Sequence, residues 1–248
     1  MKVTFIHHSS FCVEMADKVF LFDYFRGDRV PGITFHGKLP EFDPAKSIYV
    51  FASHKHPDHF DLEILTWKNK YPDIRYIFPK EIKFSDSYLI RHGIDPSVKE
   101  QINYIKPGSV LNLDGVKTEA LLSTDSGVAF LISYAGKAIY HAGDLHWWHW
   151  EGEEASFNEY QEKTYKQEID KLKDRKLELA FVVLDPRLEG AKFWGMDYFM
   201  HHVAAKHVIP MHLWQNYGMI EEYKSLPESR PFRERTPEVT GENQIFDL

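Results

Sequence analysis

The chain contains almost no cysteine, since Cys12 is the only one among its 248 residues. One cysteine cannot form an intrachain disulfide, and it cannot supply the paired thiolates of a cysteine-based zinc site. A chain without disulfides suits a reducing cytosol, so we expect a cytoplasmic protein. Cys12 itself is expected to be a small core residue and not a reactive thiol.

Long apolar runs are also lacking. No segment approaches the roughly 18 consecutive apolar residues that span a membrane, and the stretch Met1–His8 lacks the apolar region and cleavage site of a signal peptide. Excess positive charge is lacking as well, with 30 Lys and Arg against 37 Asp and Glu, a net charge of −7. The basic residues are scattered, which argues against a nucleic-acid interface. We therefore expect neither a membrane nor a nucleic acid as partner.

The pattern of apolar residues predicts an α/β protein. Strands with tight turns come first, helices follow, and the same order then repeats. This order indicates two α/β halves with two sheets enclosed by helices, within a single domain spanning 1–248. The pattern further predicts helices at Phe157–Lys176, Tyr198–Lys206 and Tyr217–Leu226, a long surface loop at Gly27–Pro44 and an irregular tail from Pro227.

One short segment carries the strongest chemical signal. The loop after the apolar strand Ser47–Ala52, and before a short predicted helix at Asp61–Lys70, holds four side chains that can ligate a metal, namely His54, His56, Asp58 and His59. Open α/β sheets place their sites at the carboxyl ends of strands. Residues two apart point in different directions, so these donors suit two adjacent cations better than one. Paired ions about 3.5–4 Å apart recur in hydrolytic enzymes.

Two other predicted strands also end in a residue that can bind a metal. Asp144 follows the first of them in the segment His-Ala-Gly-Asp, and His212 follows the strand Val208–Met211. Taken alone, Asp144 could cap a turn or helix, and His212 could be a structural histidine. Three strands that each deliver such a residue at the carboxyl end favour a common metal site.

In order and approximate spacing, these segments resemble the metallo-β-lactamase fold superfamily. The segments are Ser-His-Lys-His-Pro-Asp-His, Tyr-His-Ala-Gly-Asp and Ile-Pro-Met-His. The opening Ile-His-His-Ser-Ser-Phe, followed by Leu-Phe-Asp, resembles the branch that contains the ascorbate-6-phosphate lactonase. The resemblance covers nearly the whole chain. It implies an αββα sandwich, with two mixed β-sheets packed face to face, helices on both outer faces and a dinuclear site at one edge.

The resemblance also implies a ligand set with one departure. One metal would take His54 and His56, the other would take Asp58, His59 and His212, and Asp144 would bridge them. The family usually supplies a further histidine before the Gly-Asp motif, but Leu122–Val128 contains none. Asp125 is the natural substitute, while Ser123 or a water molecule remain alternatives. A carboxylate there would favour Mn²⁺ or Fe²⁺ relative to an all-histidine site, so we expect two divalent ions, Zn²⁺ or Mn²⁺, with Fe²⁺ as a further candidate.

The implied activity is hydrolysis by a metal-bound hydroxide, with Asp58 and Asp144 as candidate catalytic residues. No Gly-x-Ser-x-Gly nucleophile motif is present. The expected substrate is a small, anionic metabolite with a lactone or phosphoester bond. A phosphodiesterase or nuclease of the same fold is the alternative, and a non-catalytic metal- or ligand-binding protein is another.

Three residues are candidate substrate contacts, and each has an ordinary structural explanation. His8 is equally compatible with a structural histidine. Trp147, in a tryptophan-rich loop, could wall a pocket or pack in the core. Arg187 could bind a phosphate or carboxylate in a bidentate manner, or pair with Asp185 or Glu189. The expected partner is a small-molecule substrate, and homo-oligomer formation is left open.

Overall fold

The computed structural model describes residues 1–28 and 30–248. The described residues form two compact units. Unit 1 comprises residues 1–106 and 241–248, and unit 2 comprises residues 107–240. The single domain over 1–248 stays a prediction.

The described residues of unit 1 form a seven-stranded mixed sheet. Its strands are β1 (Lys2–His7), β2 (Ser10–Glu14), β3 (Lys18–Phe22), β4 (Ser47–Phe51), β5 (Ile74–Pro79), β6 (Ile102–Ile105) and β13 (Gln244–Asp247). The spatial order is β13-β1-β2-β3-β4-β5-β6. Pairing is antiparallel from β13 to β3 and parallel from β3 to β6. The parallel strands therefore all deliver the residues that follow them to one edge of the sheet.

Strands β3 and β4 are buried over nearly their whole length. Leu21 and Val50, for example, lie in the core of unit 1 together with Ile74 and Tyr76. Continuous apolar runs of this kind are typical of parallel strands that are covered on both faces. The helix predicted at Asp61–Lys70, after the loop that holds His54 and His59, is a 3-10 helix at Leu62–Asn69 whose amino end is capped by Asp61. Unit 1 also contains helix α1 (Asp86–Arg91) and the 3-10 helix Pro96–Gln101.

Unit 2 contains a six-stranded mixed sheet among its described residues, in the order β12-β11-β10-β9-β8-β7. The strands are β7 (Val110–Leu113), β8 (Val116–Leu122), β9 (Val128–Tyr134), β10 (Lys137–His141), β11 (Lys176–Val183) and β12 (Ala204–Met211). Strands β7 to β10 are antiparallel, whereas β10, β11 and β12 are parallel. As in unit 1, the parallel strands bring their following loops to a common edge. The helices are α2 (Ala155–Asp170), α3 (Trp194–His202) and α4 (Gly218–Ser225), with 3-10 helices at Pro186–Ala191 and Arg233–Arg235.

Three sequence-based boundaries are wrong. The helix predicted to reach Lys176 ends at Asp170, because Lys176 already begins β11 and pairs with Ala204. The helix predicted to reach Lys206 ends at His202, because the same pairing draws Ala204 into β12. The tail is not irregular throughout, since β13 pairs with β1. In each case a pairing between residues distant in sequence overrides the local pattern.

The predicted loop Gly27–Pro44 contains no helix or strand in its described part, which leaves out Arg29. The α/β class with two mixed sheets is confirmed. Within the described ranges, every helix is too short or too polar to cross a membrane.

Leu21→Ala should lower the free energy of unfolding by about 2–5 kcal/mol, because Leu21 has no exposed surface and its removal leaves a cavity. Leu122→Ala is the matched control, since Leu122 is 39% exposed, and it should cost less than about 1 kcal/mol. Urea denaturation followed by circular dichroism measures both. Equal losses for the two variants would contradict this assignment of the core.

Candidate metal centre

The loop that follows β4 gathers its histidines closely. The ring centroids of His54 and His56 are 4.4 Å apart, and those of His54 and His59 are 4.2 Å apart. A tight turn produces this arrangement, with the backbone N–H groups of His59 and Phe60 both donating to the carbonyl of His56. His54 and His59 are fully buried, and Asp58 is half-buried. The sequence-predicted donors of unit 1 are therefore neighbours.

A buried carboxylate from the adjacent strand orients these imidazoles. Asp23 follows β3, and its Oδ2 lies 2.7 Å from His59 Nδ1 and 2.7 Å from Ser53 Oγ. An ionised carboxylate only accepts hydrogen bonds, so His59 donates through Nδ1. The Ser53 hydroxyl donates to Asp23 and lies 2.9 Å from His54 Nδ1, from which it accepts. Both imidazoles are thus protonated at Nδ1, which leaves Nε2 as the nitrogen available to a metal.

His8 belongs to the same group of donors. It lies in the turn between β1 and β2 with a φ of 49° and is 4% exposed. Its Nε2 is 3.6 Å from Asp58 Oδ2, while His59 Nε2 is 3.7 Å from that same oxygen. These three residues offer ligand atoms within 4.8 Å of one another. Geometry therefore allows His8 to contact either a metal or a substrate.

Unit 2 carries a second set of donors at the carboxyl ends of its parallel strands. Asp144 follows β10 and His212 follows β12, and both are buried. Their atoms Oδ1 and Nε2 are 3.5 Å apart. The carbonyl of Asp144 accepts hydrogen bonds from Thr124 Oγ1 and Trp148 Nε1, at 3.3 and 3.0 Å, which fixes its backbone.

His212 is oriented in the same way as His59. Its Nδ1 lies 2.8 Å from Oδ2 of Asp185, a fully buried residue that follows β11. Burial alone would raise the pKa of Asp185, but hydrogen bonds from His212 and Arg187 hold that pKa well below its ordinary value. Asp185 is therefore ionised, and His212 donates to it through Nδ1. Nε2 of His212 is again the nitrogen available to a metal.

Asp125 lies in the β8–β9 connection and is exposed. One of its carboxylate oxygens is within 4.8 Å of an oxygen of Asp144. Its backbone N–H donates to Ser123 Oγ at 3.2 Å, so the serine hydroxyl supports the turn that presents Asp125. Within unit 2, the carboxylate proposed to replace the missing histidine thus lies beside the carboxylate proposed to bridge.

Unit 2 holds the other two predicted substrate contacts, Arg187 and Trp147. Arg187 pairs with Asp185, with Nη2 to Oδ2 at 2.6 Å, and its guanidinium lies over the rings of Trp214 and Trp150 at 4.4 and 5.6 Å. Its side chain remains 43% exposed. Trp147 packs against Trp194 with ring centroids 5.3 Å apart and lines a groove.

Asp23 and Asp185 are the functional residues that sequence reasoning did not assign to the site. Each follows a strand that runs parallel to the strand bearing the histidine it contacts, β3 beside β4 and β11 beside β12. An aspartate directly after an apolar strand was the available signal. The donor set fits divalent metal ions, because three imidazoles present Nε2 and three carboxylates are available as further ligands: Asp58 in unit 1, and Asp125 and Asp144 in unit 2.

Comparison with known sequences identifies related proteins. A family model described as a beta-lactamase superfamily domain matches residues 2–159. A UPF0173 metal-dependent hydrolase from Desulforamulus reducens is 28% identical over 152 residues, which cover 58% of this chain and 62% of the relative. The match thus spans less than two thirds of that relative's length.

Two solved structures share the fold over nearly their whole length. Igni18, a metallo hydrolase from the archaeon Ignicoccus hospitalis, has a TM-score of 0.65 at 18% identity, with 100% of this chain and 98% of that chain covered. An isothiocyanate hydrolase from Delia radicum gut bacteria has a TM-score of 0.58 at 15% identity, with coverages of 100% and 99%. Identities this low show a common fold, and they confirm the predicted fold class.

Asp23→Asn and Asp185→Asn should each weaken metal binding by about 10–100-fold, because an amide cannot hold the histidine Nδ1–H as a carboxylate does. Asparagine tolerates the φ of 44° at position 23, so the fold should survive. Titration of the metal-free protein with Zn²⁺ or Mn²⁺ measures the affinity, and the exposed Asp174→Asn is the control. Folded variants that bind metal as tightly as the control would exclude the orienting role.

Proposed function

Because the chain belongs to the family described as the beta-lactamase superfamily domain, we propose that it is a metal-dependent hydrolase whose ions are bound by the histidines and carboxylates described above. The observation that carries this proposal is the protonation pattern of the histidines. Oxygen partners hold Nδ1 of His54, His59 and His212, so that each leaves Nε2 for a metal. The metal-dependent hydrolase of Desulforamulus reducens supports the same activity.

The proposed centre would hold two ions. His54, His56 and Asp125 would hold the first, and Asp58, His59 and His212 would hold the second. Asp144, which within unit 2 lies close both to His212 and to Asp125, would contribute its carboxylate to both. The carboxylate of Asp125 makes the first position harder than an all-histidine position, which favours Mn²⁺ or Fe²⁺ over Zn²⁺ there.

Bound divalent ions lower the pKa of water and polarise a carbonyl or phosphoryl oxygen, which is the chemistry that hydrolysis near neutral pH requires. Besides holding an ion, Asp58 would accept a hydrogen bond from the attacking water, a role supported by the closeness of its Oδ2 to Nε2 of both His8 and His59. His8 would contact the substrate.

The proposed substrate is a small anionic metabolite with a lactone or phosphoester bond. Arg187 supports an anionic group, because 43% of its side chain is exposed although Asp185 occupies one edge of the guanidinium. The pairing with Asp185 also neutralises much of the charge of Arg187, so Arg187 would orient the anionic group of the substrate more than it would attract that group. The acidic net charge of −7 disfavours a nuclease that must grip a long polyanion.

A substrate panel tests the activity and its class. The protein loaded with Mn²⁺ or Zn²⁺ should hydrolyse a lactone or 4-nitrophenyl phosphate, and chelation should abolish turnover. Asp144→Asn should lower kcat by at least about 100-fold, because even partners outside the metal ligands cost 10–100-fold. The exposed Asp174→Asn is the control. Faster cleavage of bis(4-nitrophenyl) phosphate would favour the phosphodiesterase, and tight metal binding without any turnover would favour a non-catalytic binding protein.

Asp125 is tested by metal content. Asp125→Ala should lose one of two bound ions, because the first position keeps only two protein donors besides the bridge. Asp125→His should retain two ions and shift the preference from Mn²⁺ towards Zn²⁺, since imidazole suits Zn²⁺. Elemental analysis after equilibration with both metals measures content and preference. Unchanged content and preference in both variants would show that Asp125 is not a ligand.

A further inference from the structure

A groove in unit 2 lies outside the donors described above. It has a volume of about 830 Å³ and is formed by α2, α3 and the loop that follows Asp144. We call it the tryptophan groove, and its lining residues are Trp147, Glu162, Trp194, Asp197, Tyr198, His201 and His202. On α3 they recur at intervals of three or four residues, so one face of the helix forms a wall.

Aromatic rings dominate that wall. Trp147 and Trp194 approach with centroids 5.3 Å apart at 58°, and Tyr198 stacks on His202 at 3.9 Å. Trp194 is 41% exposed, an unusual exposure for so large an apolar side chain. The faces of aromatic rings carry partial negative charge, so ring faces that line a groove attract cations.

The groove carries acidic groups. Glu162 and Asp197 supply carboxylates. His201 and His202 each hold Nδ1 against a carbonyl one turn earlier, at 2.9 and 2.8 Å. Among the described residues that line the groove, none is a lysine or arginine.

A second cavity of about 380 Å³ shares Glu162 with the groove. It adds the carboxylates of Glu151, Glu153 and Glu159 and the ring of Trp150, again with no lysine or arginine among its described lining residues. Rings also connect the two cavities, since His149 of the second cavity lies 4.7 Å from Trp194. The result is a continuous run of aromatic faces and acceptors.

The protein's own chain shows what such faces attract. The ammonium of Lys166, which is not a lining residue, lies 4.2 Å from the ring centroid of Trp147 and 5.4 Å from that of Tyr198, and it also pairs with Glu162. An alkylammonium is thus recognised here by an aromatic face and a carboxylate together. A cation–π contact of this kind strengthens where the site is partly desolvated.

From this arrangement we propose that the tryptophan groove and its neighbouring cavity bind a linear polyamine. The ammonium groups would pair with Asp197, with the glutamates of the second cavity and with the oxygen of Glu162 that is not paired with Lys166. The methylene segments between them would lie against the tryptophan rings. Two acidic cavities that share one carboxylate suit a ligand with several separated positive charges better than a single small cation. This site is independent of the proposed hydrolase activity.

Binding is tested with spermidine and a matched pair of linear probes, diaminooctane and octanediol, by calorimetry and tryptophan fluorescence. The diamine and spermidine should bind saturably, and the diol should bind at least about tenfold more weakly, because it lacks the charges. Trp194→Ala and Glu162→Gln should each weaken spermidine binding by about tenfold as well, whereas Trp194→Phe should retain part of the affinity.

Two exposed residues outside the groove provide controls. Tyr160→Ala removes an aromatic ring that is 60% exposed on α2, and Glu221→Gln removes a surface charge on α4. Neither should change spermidine affinity, and thermal melting verifies that every variant is folded. The proposal is overturned if the diol binds as tightly as the diamine, if Mg²⁺ at equal charge displaces spermidine completely, or if folded Trp194→Ala binds as the parent does.

Discussion

A hydrogen bond between a buried carboxylate and an imidazole Nδ1 underlies the candidate centre. Asp23 and His59 form one such bond at 2.7 Å, and Asp185 and His212 form the other at 2.8 Å. A histidine without this restraint can rotate and can carry its proton on either nitrogen, so its metal affinity would be lower. All four side chains are buried. Removing one partner of either pair would leave the other buried without its partner, and an unpaired buried charge destabilises the fold.

One aspartate–histidine pair of this kind occurs in each unit, and the parallel pairing of the strands accounts for both. In both sheets the aspartate follows one parallel strand and the histidine follows the neighbouring strand. Parallel pairing sets the two strand ends side by side, and the register decides which residue emerges there. A slip of one residue between β11 and β12 would turn the side chains of β12 to opposite faces and separate His212 from Asp185. The apolar cores of the sheets therefore determine the geometry of the polar site.

The donors that could be predicted from the sequence are those that lie close together along the chain. His54, His56, Asp58 and His59 stand together after an apolar strand, and the structure brings them together. Asp23 was missed, although it also follows an apolar strand. Its contact with His59 depends on the pairing of β3 with β4, which the local sequence does not show. The ends of α2 and α3 were misplaced for the same reason, as the pairing of Lys176 with Ala204 is not visible in either local sequence. The sequence left open whether an ion pair of Arg187 would form with Asp185 or with Glu189, and the structure shows the pair with Asp185.

The position of β13 has a consequence for how the chain acquires its structure during synthesis. β1 is made first, yet its outer edge is paired by a strand that emerges only after the whole of unit 2. Until then the nascent chain exposes the unpaired N–H and C=O groups of β1, an edge to which other polypeptides can add. Unit 2, whose residues are contiguous, has no such dependence on later sequence. An intermediate in which unit 2 has folded but β13 has not yet paired would therefore leave the edge of β1 open, and a chaperone would have most reason to hold this intermediate.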